Sequence, residues 1–260
     1  MARYQITLAY DGTNFLGFQR SGKSRTVQGE VEKALRGLGW QDRILLSAGR
    51  TDAGVHASGQ VIAFDLDWNH SAETLGKALN AALPEDVAVQ ECRETHAEFH
   101  PRYDATRRTY HYRIICKPER DPLLERYAWR VWPALDPQQL HETARLLPGT
   151  HDFAAFGTPP RVGGSTVRTV FHAAWETTQQ GLVFAVSANA FLYHMVRRLV
   201  YWQVLAGQHR LSLEDWAQAV QSARPLTPGL APAHGLTLVE VFYDKNAPLV
   251  TQEEYGNFQS

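Results

Sequence analysis

The chain predicts an α+β protein built as two similar halves, and three features of the sequence lead there. Segments of period two and segments with a helical stripe follow one another as β-α-β-β-α-β over residues 3–94. A looser copy of that theme runs from residue 108 onward. Hydrophobic residues make up 44% of the 260 and charged residues 20%, which is ordinary for a globular protein of one large or two small domains.

Each element has a local reason. Arg3 to Tyr10 alternates, with Tyr4, Ile6, Leu8 and Tyr10 on one face, and turns at Asp11-Gly12. Thr26 reads as the N-cap of a helix to Leu38, whose Val27, Val31, Ala34, Leu35 and Leu38 share a stripe. Ile44 to Ser47 and Gln60 to Phe64 read as strands. Ser71 caps a second helix carrying Leu75, Ala78, Leu79, Ala82 and Leu83, stopped by Pro84, and Val87 to Glu94 is a further strand. That order is ferredoxin-like (RRM-like). In the second half Arg108 to Cys116 is a strand and Asp136 to Leu147 a helix. Val167 to Glu176 and Leu182 to Ala188 form a hairpin across Gln179-Gln180-Gly181. Phe191 to Ala206 is an apolar helix ended by Gly207, Leu213 to Ala223 another, and Leu236 to Tyr243 a last strand. The expectation is mixed, mainly antiparallel sheets flanking a central catalytic cleft. The division expected is 1–105, 106–248 and a polar tail over 249–260, and residues 157–165 have the composition of a mobile surface loop.

The charge distribution is uneven. The net charge is −1, yet residues 102–130 hold eight basic and four acidic side chains, and arginine outnumbers lysine 21 to 5. Arginine suits fork-like contacts to phosphate and stacking on bases, so these arginines are expected to line one cleft. No apolar run approaches the roughly 18 residues of a membrane span. Cys92 and Cys116 have no pairing spacing, so a reducing cytoplasm is the compartment expected.

Ala48 to Gly59, between two apolar strands, is twelve residues long where a hairpin needs about two to five. It carries Gly49-Arg50-Thr51-Asp52-Ala53-Gly54-Val55-His56. Glycines let backbone approach a ligand, and Asp52 between them is a candidate nucleophile or base. A surface loop with a turn-forming aspartate is the competing reading. Arg107-Arg108-Thr109-Tyr110-His111-Tyr112 interleaves basic and aromatic groups, with Arg108, Tyr110 and Tyr112 on one face, a stacking platform beside a phosphate clamp or else a gatekept edge strand. Arg197 and Arg198 interrupt an otherwise apolar helix, and a buried arginine there needs a carboxylate, for which Asp52 is suitable. His96-Ala97-Glu98 starts like a zinc deaminase signature but no downstream P-C-x-x-C follows, so no metal is expected. Gly12, Gly17 and Gly22 do not make a phosphate-binding loop, and no nucleotide cofactor is expected.

With these residues laid out, the chain resembles the tRNA pseudouridine synthase A family over nearly its whole length. The resemblance rests on Tyr10-Asp11-Gly12-Thr13 through Gly17-Phe18-Gln19-Arg20, on Thr26-Val27-Gln28, and on the complete Ala48 to His56 motif. Phe99-His100-Pro101-Arg102 with Arg108-Thr109-Tyr110, His151-Asp152-Phe153, Val167-Arg168-Thr169, Phe191 to Arg197 and Ala231 to Leu236 follow in order. It implies conversion of uridine to pseudouridine at positions 38, 39 and 40 of the tRNA anticodon arm, by a homodimer without cofactor. It implies that Asp52 is the nucleophile, that Tyr110 stacks on the flipped uracil, that Arg197 pairs with Asp52 and that Arg50 fills the space the base leaves. Gln19, Arg20, His56 and Arg108 are expected with them on the substrate side. Tyr201 stands where that family usually has glycine, which puts helix packing and dimer geometry in question.

The chemistry fits the inventory, being redox-neutral and within reach of one ionised carboxylate, which can attack the sugar, attack the base or take a ribose proton. Two other readings share features with it. A catalytically silent RNA-binding module would use the same strands, and an Asp-dependent glycosidic-bond hydrolase would use the same nucleophile with a second carboxylate nearby.

Overall fold

The computed structural model describes residues 1–41, 44–224, 226 and 228–244, so the tail expected over 249–260 lies outside the described residues. The first half runs β1 (Ala2–Tyr10), α1 (Val27–Gly37), β2 (Leu46–Ser47), β3 (His56–Leu66), α2 (Ala72–Ala82) and β4 (Val87–Thr95). The second runs β5 (Arg107–Cys116), β6 (Trp129–Val131), α3 (Pro137–Arg145), β7 (Gly149–Asp152), β8 (Val167–Thr178), β9 (Gly181–Ala188), α4 (Met195–Gly207), α5 (Leu213–Ser222) and β10 (Leu236–Phe242). The caps work as their side chains dictate: Thr26, Ser71, Asp136 and Ser212 each accept a backbone N–H in the first turn of α1, α2, α3 and α5. Each such cap is worth about 1 kcal/mol.

The strands lie in the order β4-β1-β3-β10-β5-β9-β8-β7, with β2 beside β3 and β6 beside β5. With β6 and β7 set aside, each half has four strands in one arrangement, the first between the last and the third and the third paired with the second: β4-β1-β3-β2, then β10-β5-β9-β8. All these pairings are antiparallel. The mixed, mainly antiparallel character expected is found, and a seam joins the strands of the two halves into one sheet. β10 lies parallel to β3, Thr237 opposite His56 and Leu238 opposite Ala57, so the halves share one mixed sheet. Gly59 makes that approach possible, because a Cβ there would stand 2.1 Å from the Val239 carbonyl oxygen.

Helices α1 and α2 cover Tyr4, Ile6, Leu8, Ile62 and Phe64, while α3, α4 and α5 cover Tyr112, Ile114, Phe184 and Val186. Burying each such side chain contributes about 1.5–3 kcal/mol. The two cores are cross-braced: Val55 belongs to the second, and Leu238 and Val241 of β10 belong to the first. Among the described residues no helix is long and apolar enough to cross a membrane.

Local expectations shift in three places. β3 begins at His56 rather than Gln60, because pairing with β1 and β10 extends it, so the connection shrinks to Ala48–Val55. The helix expected from Phe191 begins at Met195, because His194 takes a left-handed conformation, φ 66°. The glycine-rich loop is tied at its start, where Thr158 exchanges backbone hydrogen bonds with Tyr193 and a Cβ on Gly157 would stand 2.5 Å from Leu192 Cβ. Tyr201 in place of glycine is accommodated by Gly229, where a Cβ would meet the tyrosine ring at 1.9 Å.

Candidate active site

The Ala48–Val55 connection is held from every side. Ala48 N–H donates to the Val61 carbonyl at 2.8 Å and Phe18 N–H to the Thr51 carbonyl at 3.0 Å. The Tyr10 hydroxyl meets Thr51 Oγ1 at 2.8 Å, and Gln60 Nε2 donates to the Gly49 carbonyl at 3.0 Å. Gly12 packs so closely that a Cβ would lie 2.1 Å from the Val55 carbonyl oxygen. The residues 10–18 that opened the chain's motif series therefore form the cradle of the Asp52 loop.

Asp52 meets the second half at the head of α4. Arg197 Nη1 donates to Asp52 Oδ2 at 2.7 Å, while Arg197 Nε donates to the Ala231 carbonyl at 2.8 Å. The pair is 13% and 21% exposed, enough shielding for a charge-assisted bond to orient the carboxylate. His194 Nε2 stands 3.4 Å from the same Oδ2. Its left-handed backbone is a strained one for a non-glycine residue, costing about 1–3 kcal/mol, and its side chain makes no cap bond to α4. Tyr110 on β5 also lines the cavity, its ring edge-on to Phe191 at 5.0 Å between centroids. Burial pushes the Tyr110 phenol up to about 12, with Arg108 opposing and Asp52 assisting, so it holds its proton at neutral pH.

The space enclosed by Arg50, Asp52, Tyr110, Phe191, Arg197 and Leu236 is about 60 Å³, room for about two water molecules. A base entering it must open it. Among the described lining residues Asp52 is the only carboxylate. Larger hollows lie elsewhere, one of about 530 Å³ beside Glu85, Arg113 and Tyr127, away from Asp52. Among the described residues no three His, Cys, Asp or Glu side chains are placed to hold a metal ion.

The structure brings Asp52, Arg197, Tyr110 and Arg50 to one cavity. Arg50 is exposed. Arg108 is buried and turned inward: it donates to the carbonyls of Ala48, Asn189 and Arg102, bracing the loop rather than offering a free fork. His56 is buried in β3, its Nδ1 accepting from Gly12 N–H at 3.0 Å and its Nε2 donating to the His234 carbonyl at 3.1 Å. Burial pulls its pKa below the usual value, against the pull of Asp11. Arg20 is half-exposed on buried Glu32, and Gln19 is exposed; neither lines the cavity.

The arginines of residues 102–130 do not converge on one cleft. Arg107 lies on the Phe242 ring, Arg113 reaches Thr237, and Lys117, Arg126 and Arg130 pair with Asp121, Asp11 and Glu125. Alternation along strands sends neighbours to opposite faces, so a basic sequence segment is not a basic patch. Sequence reasoning also passed over His194 and the wall formed by Phe191 and Leu192. The signal was the break in helical character just before Met195, hidden by the uniform apolarity of the segment.

Residues 6–104 and 143–244 match the family model described as tRNA pseudouridine synthase. The chain is 41% identical over 248 residues to a protein of Chloroflexus aurantiacus named tRNA pseudouridine synthase A, covering 94% of this chain and 89% of that one. It is 38% identical over 245 residues to the Bacillus subtilis (strain 168) protein of the same name, covering 93% and 99%. Among solved structures, a chain from a crystal structure of a Cbf5-Nop10-Gar1 complex aligns at 13% identity with a TM-score of 0.34, over 77% of this chain and 44% of that one.

Proposed function

This chain belongs to the tRNA pseudouridine synthase family, and on that premise we propose that it isomerises uridine to pseudouridine in the anticodon stem-loop of tRNA, at positions 38, 39 and 40, with Asp52 as the nucleophile. The observation that carries the reading is the carboxylate of Asp52 held by Arg197 at 2.7 Å in a cavity walled by Tyr110. In the reaction the C1′–N1 bond breaks, the base turns, a C1′–C5 bond forms, and C5 gives up a proton as N1 gains one. Nothing is oxidised or reduced.

The base must leave its stack to reach Asp52, at a cost of a few kcal/mol. Tyr110 offers a ring face for the flipped uracil, and exposed Arg50 is free to occupy the space left in the RNA. A hydrolase acting on the glycosidic bond would want a second carboxylate within several ångströms, and the described lining offers only Asp52. A silent binding module would gain nothing from a carboxylate facing a polyanion.

We also propose that the protein works as a homodimer in the cytoplasm, with one tRNA laid across both subunits. An anticodon arm is longer than the mouth of a cavity this small, and Cys92 and Cys116 are free thiols, which suits a reducing compartment. Sedimentation should give a dimer, and tRNA affinity should fall as a power of salt concentration. A monomer with full activity refutes the dimer alone.

The deciding experiment is incubation with unmodified tRNA and mapping of pseudouridine by nucleotide. Pseudouridine at 38–40, and its loss by about four orders of magnitude in Asp52→Asn, is the expected result. Release of free uracil, or an Asp52→Asn variant within tenfold of the parent, overturns it.

A further inference from the structure

The two oxygens of the Asp52 carboxylate are not equivalent. Arg197 Nη1 at 2.7 Å and His194 Nε2 at 3.4 Å both address Oδ2. We propose that His194 is a positioning residue for Asp52: Arg197 binds Oδ2 and the imidazole closes off the same side of the carboxylate, so that Oδ1 is the oxygen presented to the uridine. The inference rests on the function proposed above.

Three further features converge on this histidine. Its backbone is left-handed, φ 66° and ψ 1°, a conformation that few non-glycine residues adopt and that histidine, with asparagine and aspartate, enters more readily than most, and the side chain makes no cap bond to α4. The Tyr193 ring stacks on the imidazole at 3.7 Å between centroids and 27° between planes, fixing its tilt. The backbone of Tyr193 is held by its bonds to Thr158. The strained residue is thus over-determined by its surroundings, with its imidazole aimed at the reacting group.

The titratable and charged groups facing the imidazole are Asp52 from the β2–β3 connection, Arg197 and Arg198 from α4, and Tyr193 stacked beside it. Burial first, then the two arginines, hold its pKa below the usual value against the pull of Asp52. It is therefore uncharged at neutral pH. Protonation in acid places a second full positive charge on Oδ2 and draws negative charge from the carboxylate. The rate should then fall as the imidazole charges, at a pH below about 6.5.

Two variants separate the imidazole from the backbone. His194→Gly keeps the left-handed turn without strain and deletes the ring. His194→Asn also accepts that turn and keeps a planar polar side chain beside Asp52 without the titrating ring. Single-turnover rates on an unmodified anticodon stem-loop, measured from pH 5 to 8, should drop about ten- to a hundredfold in His194→Gly at neutral pH, with KM within about twofold. The acid limb assigned to the imidazole should vanish. His194→Asn should recover part of the rate and also lack that limb. A His194→Gly variant at the parent rate, or one that keeps the parent's acid limb, overturns the proposal.

A second measurement needs no RNA. In protein carrying ¹³C-labelled aspartate, the Asp52 carboxyl signal should move as the imidazole titrates, and that movement should be absent in His194→Gly. If the signal moves but tRNA is not modified, the proposed function fails and the positioning contact stands. If the signal is indifferent to His194, the contact fails whatever the enzyme does.

Discussion

Each half joins its second and third strands once, and the two joints have opposite characters. In the second half β8 passes to β9 through Gln179 and Gln180 alone, with Gly181 at φ 140° pressed against the Ile114 carbonyl. In the first half β2 passes to β3 through the eight residues Ala48–Val55, and β2 itself is reduced to Leu46–Ser47. The same strand order is kept at a tight turn in one copy and opened into a loop bearing a carboxylate in the other. The starts of the second helices differ in the same way. Helix α2 begins at Ser71 with an ordinary cap, whereas α4 begins at strained His194 and carries Arg197 toward Asp52. The frame is repeated, and the proposed chemistry lies where the repeats diverge.

The largest test of that division replaces the cation the second half supplies. Arg197→Lys keeps the charge but loses the planar fork that reaches Asp52 and the Ala231 carbonyl together. Pseudouridine formation should fall by about a hundredfold or more, with melting temperature little changed. A variant within tenfold of the parent would place the orienting role elsewhere, Arg198 being the next base along.

A second test attacks the cradle that has no counterpart at the β8–β9 turn. Gly12→Ala would press a methyl group into the Val55 carbonyl, and backbone cannot yield as a flexible side chain can. A loss of about 3 kcal/mol in denaturant unfolding is expected, with lower activity in the fraction still folded. An unchanged midpoint would mean that the cradle adapts freely.

The halves should also part in acid. Burial pulls the imidazoles of His111, His172 and His234 below their usual pKa, all in the second half, against His56 in the first. His111 is pulled down to about 4. A histidine with a depressed folded pKa binds fewer protons folded than unfolded between the two values. Its contribution is therefore complete above about pH 6.5 and is lost as pH falls toward 4. Burial raises the Glu176 and Glu240 carboxyls, which act in the opposite sense at the lower end of that range. His111→Asn should therefore lose less stability than the parent between pH 6.5 and 5, by about 1 to 2 kcal/mol. Hydrogen exchange over that interval should release β5 and β8 before β1, and the reverse order would contradict the assignment.

The smallest effect is expected from Tyr10→Phe, which removes the hydroxyl at Thr51 Oγ1. About 1 kcal/mol of stability should go, with a few-fold loss of rate because Gln60 still holds the Gly49 carbonyl. A larger rate loss than stability loss would show that the loop depends on this one bond for its aim.

What the sequence determined by itself was whatever is written in short-range pattern. The alternation of Tyr4, Ile6 and Leu8, the stripe from Val27 to Leu35, and the caps at Thr26 and Ser71 each involve residues within a few positions, and the elements formed where those patterns lie. Asp52 stood out for the same reason, through its glycine neighbours. Only the tertiary structure decided that β10 would close against β3 and make one sheet of two, because a parallel pairing of two residues leaves no periodic trace. It decided that Arg108 turns inward to carbonyls and that the arginines around it scatter, since side-chain direction along a strand depends on which neighbours cover each face. And it decided the contact between Asp52 and Arg197, 145 residues apart, together with the left-handed turn at His194 beside it. Charge, burial and the family resemblance already pointed to Asp52 as the carboxylate for Arg197; the packing of α4 across the seam set the geometry of the contact, because an ion pair over such a separation exists only after the elements carrying it have been brought together.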